Sequence, residues 1–140
     1  MPQHCSPQGF ELLEDPREAE VEAIAALLGL RRVGWMFAHP PREEGFFFNA
    51  AEVIQAAYGQ LECANGVADT PYVTMRLTVN GETQGVEVDA FQVSKLCMEM
   101  VAEGALDADS EHAGSSAVHP SFTAVLEGKP ATLVDNSMFL

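Results

Sequence analysis

The residue best suited to chemistry lies at the end of an apolar run, where His39 is followed by Pro40 and Pro41. An imidazole nitrogen can bind zinc, but a catalytic zinc needs three protein ligands and one open position for water. The other histidines fall in segments that we predict to be loops: His4, His112 and His119. The sequence therefore predicts neither a metal site nor a catalytic residue.

The cysteines give no second route to a metal or to a covalent framework. The chain has three of them, far apart and with no CxxC pair: Cys5, Cys63 and Cys97. This spacing favours neither a zinc knuckle nor a set of disulfides. We expect reduced thiols, which are typical of the cytosol and nucleus, and no cofactor.

Charge excludes several classes of partner. The 140 residues carry 7 basic and 21 acidic side chains, for a net charge of -14. A phosphate backbone or an anionic membrane surface requires a basic face, so we expect no nucleic acid and no membrane partner. We also find no apolar run long enough to span a bilayer and no secretory signal. The charge suits a protein whose partners carry basic patches.

Periodicity predicts an α+β domain with three helices and at least four strands. Asp15 and Pro16 are typical of a helix start, and Val21, Ile24 and Leu28 recur at helical spacing on the expected inner face. The apolar segment 32–38 predicts a central strand that is buried on both faces.

The second half of the pattern is clearer. Asn49 and Glu52 have the spacing of a capping box and predict a second helix. Segments 72–79 and 86–90 alternate like strands, and Asn80 with Gly81 predicts a hairpin turn between them, with a loop longer than two residues. Ser94 predicts the start of a third helix, and segment 132–140 another strand.

For the domain organisation, we expect a loosely structured segment at 1–14, followed by one domain over 15–140. Within that domain, residues 105–118 are acidic and small, and they predict a flexible surface loop.

Residues 33–40 resemble the zinc motif of the MPN metalloproteases that cut ubiquitin chains. In that family V-G-W is followed by one residue and then by H-S-H-P. His39 corresponds to the second histidine, whereas the first is replaced by Phe37, which cannot bind a metal. His39 is thus a lone relic of the motif.

The same family then has a serine, two residues and an aspartate ligand. Strict spacing puts Phe47 and Ala50 at those positions, and a shift of two puts Asn49 and Glu52 there. Neither alternative supplies the pair, and we interpret Asn49 and Glu52 as a helix cap. The resemblance therefore implies an incomplete JAB/MPN-like domain, with a mixed sheet flanked by helices, that is not an enzyme.

Segment 15–103 resembles one inactive subfamily, the nuclear protein localization protein 4 family. The resemblance depends on segments 21–37, 48–57 and 86–94, and on segment 134–140, which is similar to plant and algal members. Relative to that family, we expect this chain to be truncated at both ends.

The resemblance implies a non-catalytic module that binds ubiquitin or polyubiquitin. Family members pair with a ubiquitin fusion degradation-type protein and deliver polyubiquitylated substrates to a valosin-containing AAA ATPase for proteasomal degradation. We expect ATPase docking to depend on parts of the family's chain that are missing here. The implied location is cytoplasmic and nuclear, including the cytosolic face of the endoplasmic reticulum in ER-associated degradation.

Two alternatives stay open: a zinc-dependent MPN-type deubiquitinase and a dimerising MPN scaffold. If binding uses the former active-site groove, the candidate binding residues are Phe37, His39, Phe46 and Asn49.

Overall fold

A computed structural model describes residues 2–6, 9–64, 69–108 and 111–140. The helices are α1 (Glu18–Leu27), α2 (Ala50–Cys63) and α3 (Lys95–Ala102), with a 3-10 helix at Asn136–Phe139. The strands are β1 (Gln3–Ser6), β2 (Gly9–Leu12), β3 (Gly34–Ala38), β4 (Val73–Val79), β5 (Val86–Phe91), β6 (Leu106–Asp107), β7 (Ser115–Val118), β8 (Ala124–Leu126), β9 (Lys129–Ala131) and β10 (Leu133–Asp135). The α+β class and the three predicted helices are confirmed.

The central layer is a mixed sheet in the order β3-β4-β5. β3 and β4 are parallel, because α2 carries the chain back across the sheet between them. β4 and β5 are antiparallel and are joined through residues 80–85, which confirms the predicted hairpin and its longer loop.

Helix α2 begins with the predicted capping box. Asn49 Oδ1 accepts the backbone N–H of Glu52 at 2.8 Å, and a Glu52 carboxylate oxygen accepts the N–H of Asn49 at 2.9 Å. The apolar face of the helix packs on the sheet and on α3. Gln60 adds a buried polar clamp, since its side-chain amide exchanges two hydrogen bonds with the backbone of Val93.

The core lies between α2 and one face of the sheet. Trp35 and Phe37 of β3 stack on one another, and Phe48 meets Phe37 edge to face. Around them are buried aliphatic and small side chains from α2, α3 and the C-terminal strands: Val53, Ala56, Ala57, Cys97, Val101, Val118 and Val134.

The prediction that segment 32–38 forms a central strand buried on both faces is wrong. β3 lies at an edge of its sheet, and only alternate residues are buried: Trp35 and Phe37 point inward, while Met36 is 48% exposed. The sequence suggested burial on both faces because the outward-pointing residues of this segment are also apolar. In strand β4, Thr74 and Arg76 are buried in the interior, while Met75 and Leu77 on the other face are partly exposed.

Two further expectations about the N-terminal third are corrected. Segment 1–14 is not loosely structured throughout, because β1 and β2 form an antiparallel hairpin whose Phe10 packs 4.7 Å from the Trp35 ring. Residues 1, 7 and 8 lie outside the described part of the chain. Helix α1 starts at Glu18, not at Pro16, and buries no residue; Val21 and Ile24 are 57% and 58% exposed.

The segment predicted as an acidic loop at 105–118 contains strands at both ends. β6 and β7 pair antiparallel, and β10 adds to the other side of β7. Residues 109–110 fall outside the described ranges. The predicted final strand is short: β10 covers Leu133–Asp135 and is followed by the 3-10 helix. Of the helices in the described ranges, none combines the length and apolar character needed to cross a bilayer.

Candidate functional site

The segment between β3 and α2 carries the residues singled out by the sequence. His39 is fixed at its start: the backbone N–H donates to Leu77 and continues the ladder, and the ring Nδ1 lies 2.7 Å from the Pro40 carbonyl. The side chain is 6% exposed, and Nε2 has no hydrogen-bond partner among the described residues.

Burial lowers the pKa of His39 below its ordinary value. The hydrogen bond to Pro40 opposes that shift, and the nearby Arg42 and Arg76 guanidinium groups add to it. The neutral ring is therefore the stable form at neutral pH. With Nδ1–H donating to the Pro40 carbonyl, Nε2 carries a lone pair, but this atom is buried and has almost no surface that a ligand could reach.

Arg42 and Glu52 close the other end of the segment. Arg42 Nη1 and Nη2 donate to the two Glu52 oxygens at 2.8 and 2.6 Å, and the side chains are 3% and 0% exposed. The guanidinium also lies 4.5 Å over the Phe46 ring. This arrangement ties the loop to the first turn of α2, where the paired charges support the fold.

Two concave surfaces flank Phe46. The first, the Phe46 groove, has a volume of about 590 Å³ and is lined by Phe10, Arg42, Glu43, Phe46 and Asn49 together with Glu111 and its neighbours. The second, the His39 pocket, has about 290 Å³ and is lined by His39, Phe46, Phe47, Arg76 and Thr78 with the carboxylates of Glu43, Glu44 and Glu87.

The structure brings three of the four candidate binding residues to these surfaces. Phe46 lines both, Asn49 lines the Phe46 groove, and His39 lines the pocket that bears its name. Phe37 is 1% exposed and belongs to the core, 5.9 Å from the His39 ring. Phe37 packs against the His39 ring and exposes almost no surface to which a partner could bind.

The positions that the sequence comparison aligned with the MPN zinc ligands are occupied by residues with structural roles. Phe37 and Ala50 are buried, and Asn49 and Glu52 are engaged in the capping box. Within the described ranges, no three side chains of the His, Cys, Asp or Glu type are grouped closely enough to hold a metal ion.

Arg42 and Arg76 are site residues that sequence reasoning missed. Arg76 is 9% exposed, donates to Asp89 at 2.5 Å and lies over the rings of Phe47 and Phe91. A signal existed for this residue, because an arginine and an aspartate that alternate with apolar residues on paired strands can meet across the hairpin. Arg42 gave no comparable signal, since its partner depends on how the loop folds.

These features define an α+β domain in which one helix crosses between parallel strands and a capped helix start borders an open groove. The model of the NPL4 family matches residues 1–125. The chain therefore belongs to the NPL4 family.

The chain is similar to several curated relatives. It is 38% identical to the nuclear protein localization protein 4 homolog of Dictyostelium discoideum over 104 residues, which cover 74% of this chain and 17% of the relative. It is 31% identical to the human homolog over 125 residues, covering 75% of this chain and 20% of the relative. An NPL4-like protein of Oryza sativa matches 99% of this chain at 29% identity and is covered over 35% of its length. The chain thus spans 17% to 35% of the length of these relatives.

Proposed function

We propose that this chain is a non-catalytic binding module of an adaptor that brings polyubiquitylated proteins to a valosin-containing AAA ATPase for degradation. In this proposal the domain is MPN-like, and its direct partners are ubiquitin or polyubiquitin and a ubiquitin fusion degradation-type protein. Membership of the NPL4 family supports the adaptor role. The cytoplasm, the nucleus and the cytosolic face of the endoplasmic reticulum are the proposed places of action.

The proposal that the chain is non-catalytic depends on the residues found at the positions that correspond to the MPN zinc ligands. A catalytic zinc needs several donors around one open coordination position. Here Phe37 offers no donor, and Asn49 and Glu52 hold the start of α2. Releasing Glu52 toward a metal would break the buried pair with Arg42, which is costly because it leaves a charge unpaired in the interior.

The Phe46 groove supplies the proposed binding surface. Phe10 and Phe46 contribute aromatic rings to its lining, and Glu43 and Glu111 contribute carboxylates. Aromatic side chains in concave surfaces are frequent anchors of protein interfaces. This combination fits an apolar side chain of the partner that is flanked by lysine or arginine, in keeping with the net charge of -14.

A titration into labelled polyubiquitin in the presence of zinc tests the proposal by fluorescence anisotropy. A saturable rise is the expected result. A signal that falls with time, and that no longer falls when a chelator is present from the start, would mean that the chain cuts ubiquitin and that the deubiquitinase alternative is correct. The absence of any binding would reject this chain as a ubiquitin-binding module in its own right.

Two matched phenylalanines make the test specific to the groove. Phe46→Ala should weaken binding, whereas Phe122→Ala, at a residue 37% exposed outside the groove, should leave it unchanged. Urea unfolding of both variants separates lost contact from lost stability. Equal loss of binding in the two variants would remove the groove from the proposal.

A further inference from the structure

We propose that the free edge of β5 binds an extended segment of a partner as a fourth strand, and that this segment alternates basic and apolar residues. The inference goes beyond the proposed function, because it names a second surface and a different mode of recognition. It does not depend on the Phe46 groove.

The first observation is the open edge. β4 lies in the middle of its sheet, and over the described ranges β5 pairs with β4 alone. A six-residue edge strand presents backbone N–H and C=O groups that can pair with another chain. Addition of a strand to such an edge is a recurring way of binding extended peptides.

The second observation is the alternation along β5. Val86 and Val88 lie on the outer face of the sheet and are 67% and 52% exposed. Glu87 and Asp89 lie on the other face, where Asn80 donates to Glu87 and Arg76 donates to Asp89. These contacts hold both carboxylates at the edge, and the Asp89 side chain remains 44% exposed. Cross-strand neighbours stabilise one another when they are apolar pairs or opposite charges.

The third observation is that the outer face is apolar across all three strands. The register aligns Met36, Met75 and Ala90 in one row and Ala38, Leu77 and Val88 in the next. Val79 and Val86 continue the same face. An added strand with apolar residues on this side would extend the patch and shield its β5 border from water.

The acidic side chains of β5 indicate which kind of strand its edge would bind. A second copy of this chain that paired through its own β5 would place Glu87 and Asp89 opposite carboxylates, and like charges at facing positions are destabilising. The net charge of -14 adds repulsion between copies and attracts a basic segment. The partner strand therefore carries lysine or arginine beside Glu87 and Asp89, and an aliphatic residue beside Val88.

Three fluorescein-labelled peptides test the inference with the whole chain. The first alternates lysine or arginine with valine, the second has the same composition in scrambled order, and the third repeats the first with N-methyl groups that remove the N–H donors. We expect saturable binding of the first peptide only, together with slower amide exchange over Val86–Phe91. Equal binding of the scrambled peptide would reduce the effect to net charge and reject the added strand.

Two charge-reversing variants test whether the peptide binds at the edge of β5. Glu87→Lys should weaken the alternating peptide about tenfold, because an attractive facing pair becomes a repulsive one. Glu82→Lys, in the turn of the same hairpin, should change the affinity by less than about twofold. Unchanged affinity in Glu87→Lys, or protection from exchange that lies away from β5, overturns the proposal. Near-identical urea midpoints of the two variants establish that both are folded.

Discussion

Glu52 Oε2 accepts hydrogen bonds from two donors at once, Arg42 Nη1 at 2.8 Å and the backbone N–H of Asn49 at 2.9 Å. One buried carboxylate thus serves both as the counter-ion of the loop arginine and as the return half of the capping box. The start of α2 and the segment after β3 are held by the same side chain, so disturbing one disturbs the other.

Glu52→Gln should cost about 3–5 kcal/mol in the free energy of unfolding, because it leaves the Arg42 guanidinium buried without a counter-charge. Urea unfolding followed by circular dichroism measures the loss. Glu18→Gln is the matched control: its pair with Arg32 is on the surface, with a Glu18 side chain 48% exposed, and should cost less than about 1 kcal/mol.

If Glu52→Gln does not fold, the double variant Arg42→Met/Glu52→Met decides the matter. Replacement of both charges by apolar groups removes the penalty, and stability should largely return. A double variant as unstable as the single one would assign the loss to the capping box instead of the charge pair.

Gly59→Ala tests the close packing of α2 against Tyr72, the residue that precedes β4. In an exposed helix this change gains up to about 1 kcal/mol. Here the added Cβ would overlap the ring of Tyr72, so we expect a loss of about 1–3 kcal/mol. The sign of the change in urea midpoint separates the two effects.

The same Gly59→Ala change made in a Tyr72→Leu background provides the control for that result. Once the ring is removed, the alanine has space, and Gly59→Ala should become neutral or favourable in the Tyr72→Leu background. A destabilisation of the same size in both backgrounds would show that the ring is not the obstacle.

His39 should make the stability of the domain depend on pH. Since the folded state lowers its pKa, the unfolded chain takes up the proton first as the pH falls below about 6.5. The stabilising contribution is therefore complete above that pH and is lost below it, with a slope no steeper than about 1.4 kcal/mol per pH unit. The charged groups that act on His39 are Arg42, Glu52 and Arg76.

The comparison is between the wild type and His39→Gln, with unfolding measured from pH 7.5 down to pH 5 as the experimental range. The wild type should lose more stability than the variant over this range. Parallel curves would mean that the folded and unfolded states titrate His39 alike.

Cys97 should be unreactive in the folded protein. The side chain is 0% exposed, and burial raises the pKa of its thiol to about 12, so almost no thiolate forms at pH 8. Titration with a disulfide reagent should give the same number of reactive thiols in the native wild type and in Cys97→Ala. In urea the wild type should show one more than the variant; a difference already present in the native state would contradict the prediction.

Local patterns were sufficient for the elements that depend on neighbours in the chain. The Asn49–Glu52 capping box, the Asn80–Gly81 hairpin and the Ser94 start of α3 were all predictable, because their hydrogen bonds join residues three to five positions apart. The α+β class follows from the same patterns.

The alternating patterns located the strands but did not determine which face of each strand is buried. Segment 73–79 alternates as expected, but alternation alone does not decide which face turns inward. The structure buries Arg76 because Asp89, Phe47 and Phe91 surround it with a charge and two ring faces, and it leaves Met75 and Leu77 on the outer face. Helix α1 likewise has an apolar stripe, but no described element packs against it closely enough to bury a residue.

The sequence by itself determined the class of fold and the starts of α2 and α3. These properties depend on residue types and on short spacings along the chain. Tertiary structure alone decided that Arg42 reaches Glu52, that Asn136 donates to the Phe48 carbonyl 88 positions away, and that Phe46 separates two concave surfaces. Such contacts depend on the long-range closure of the chain, which local periodicity does not specify.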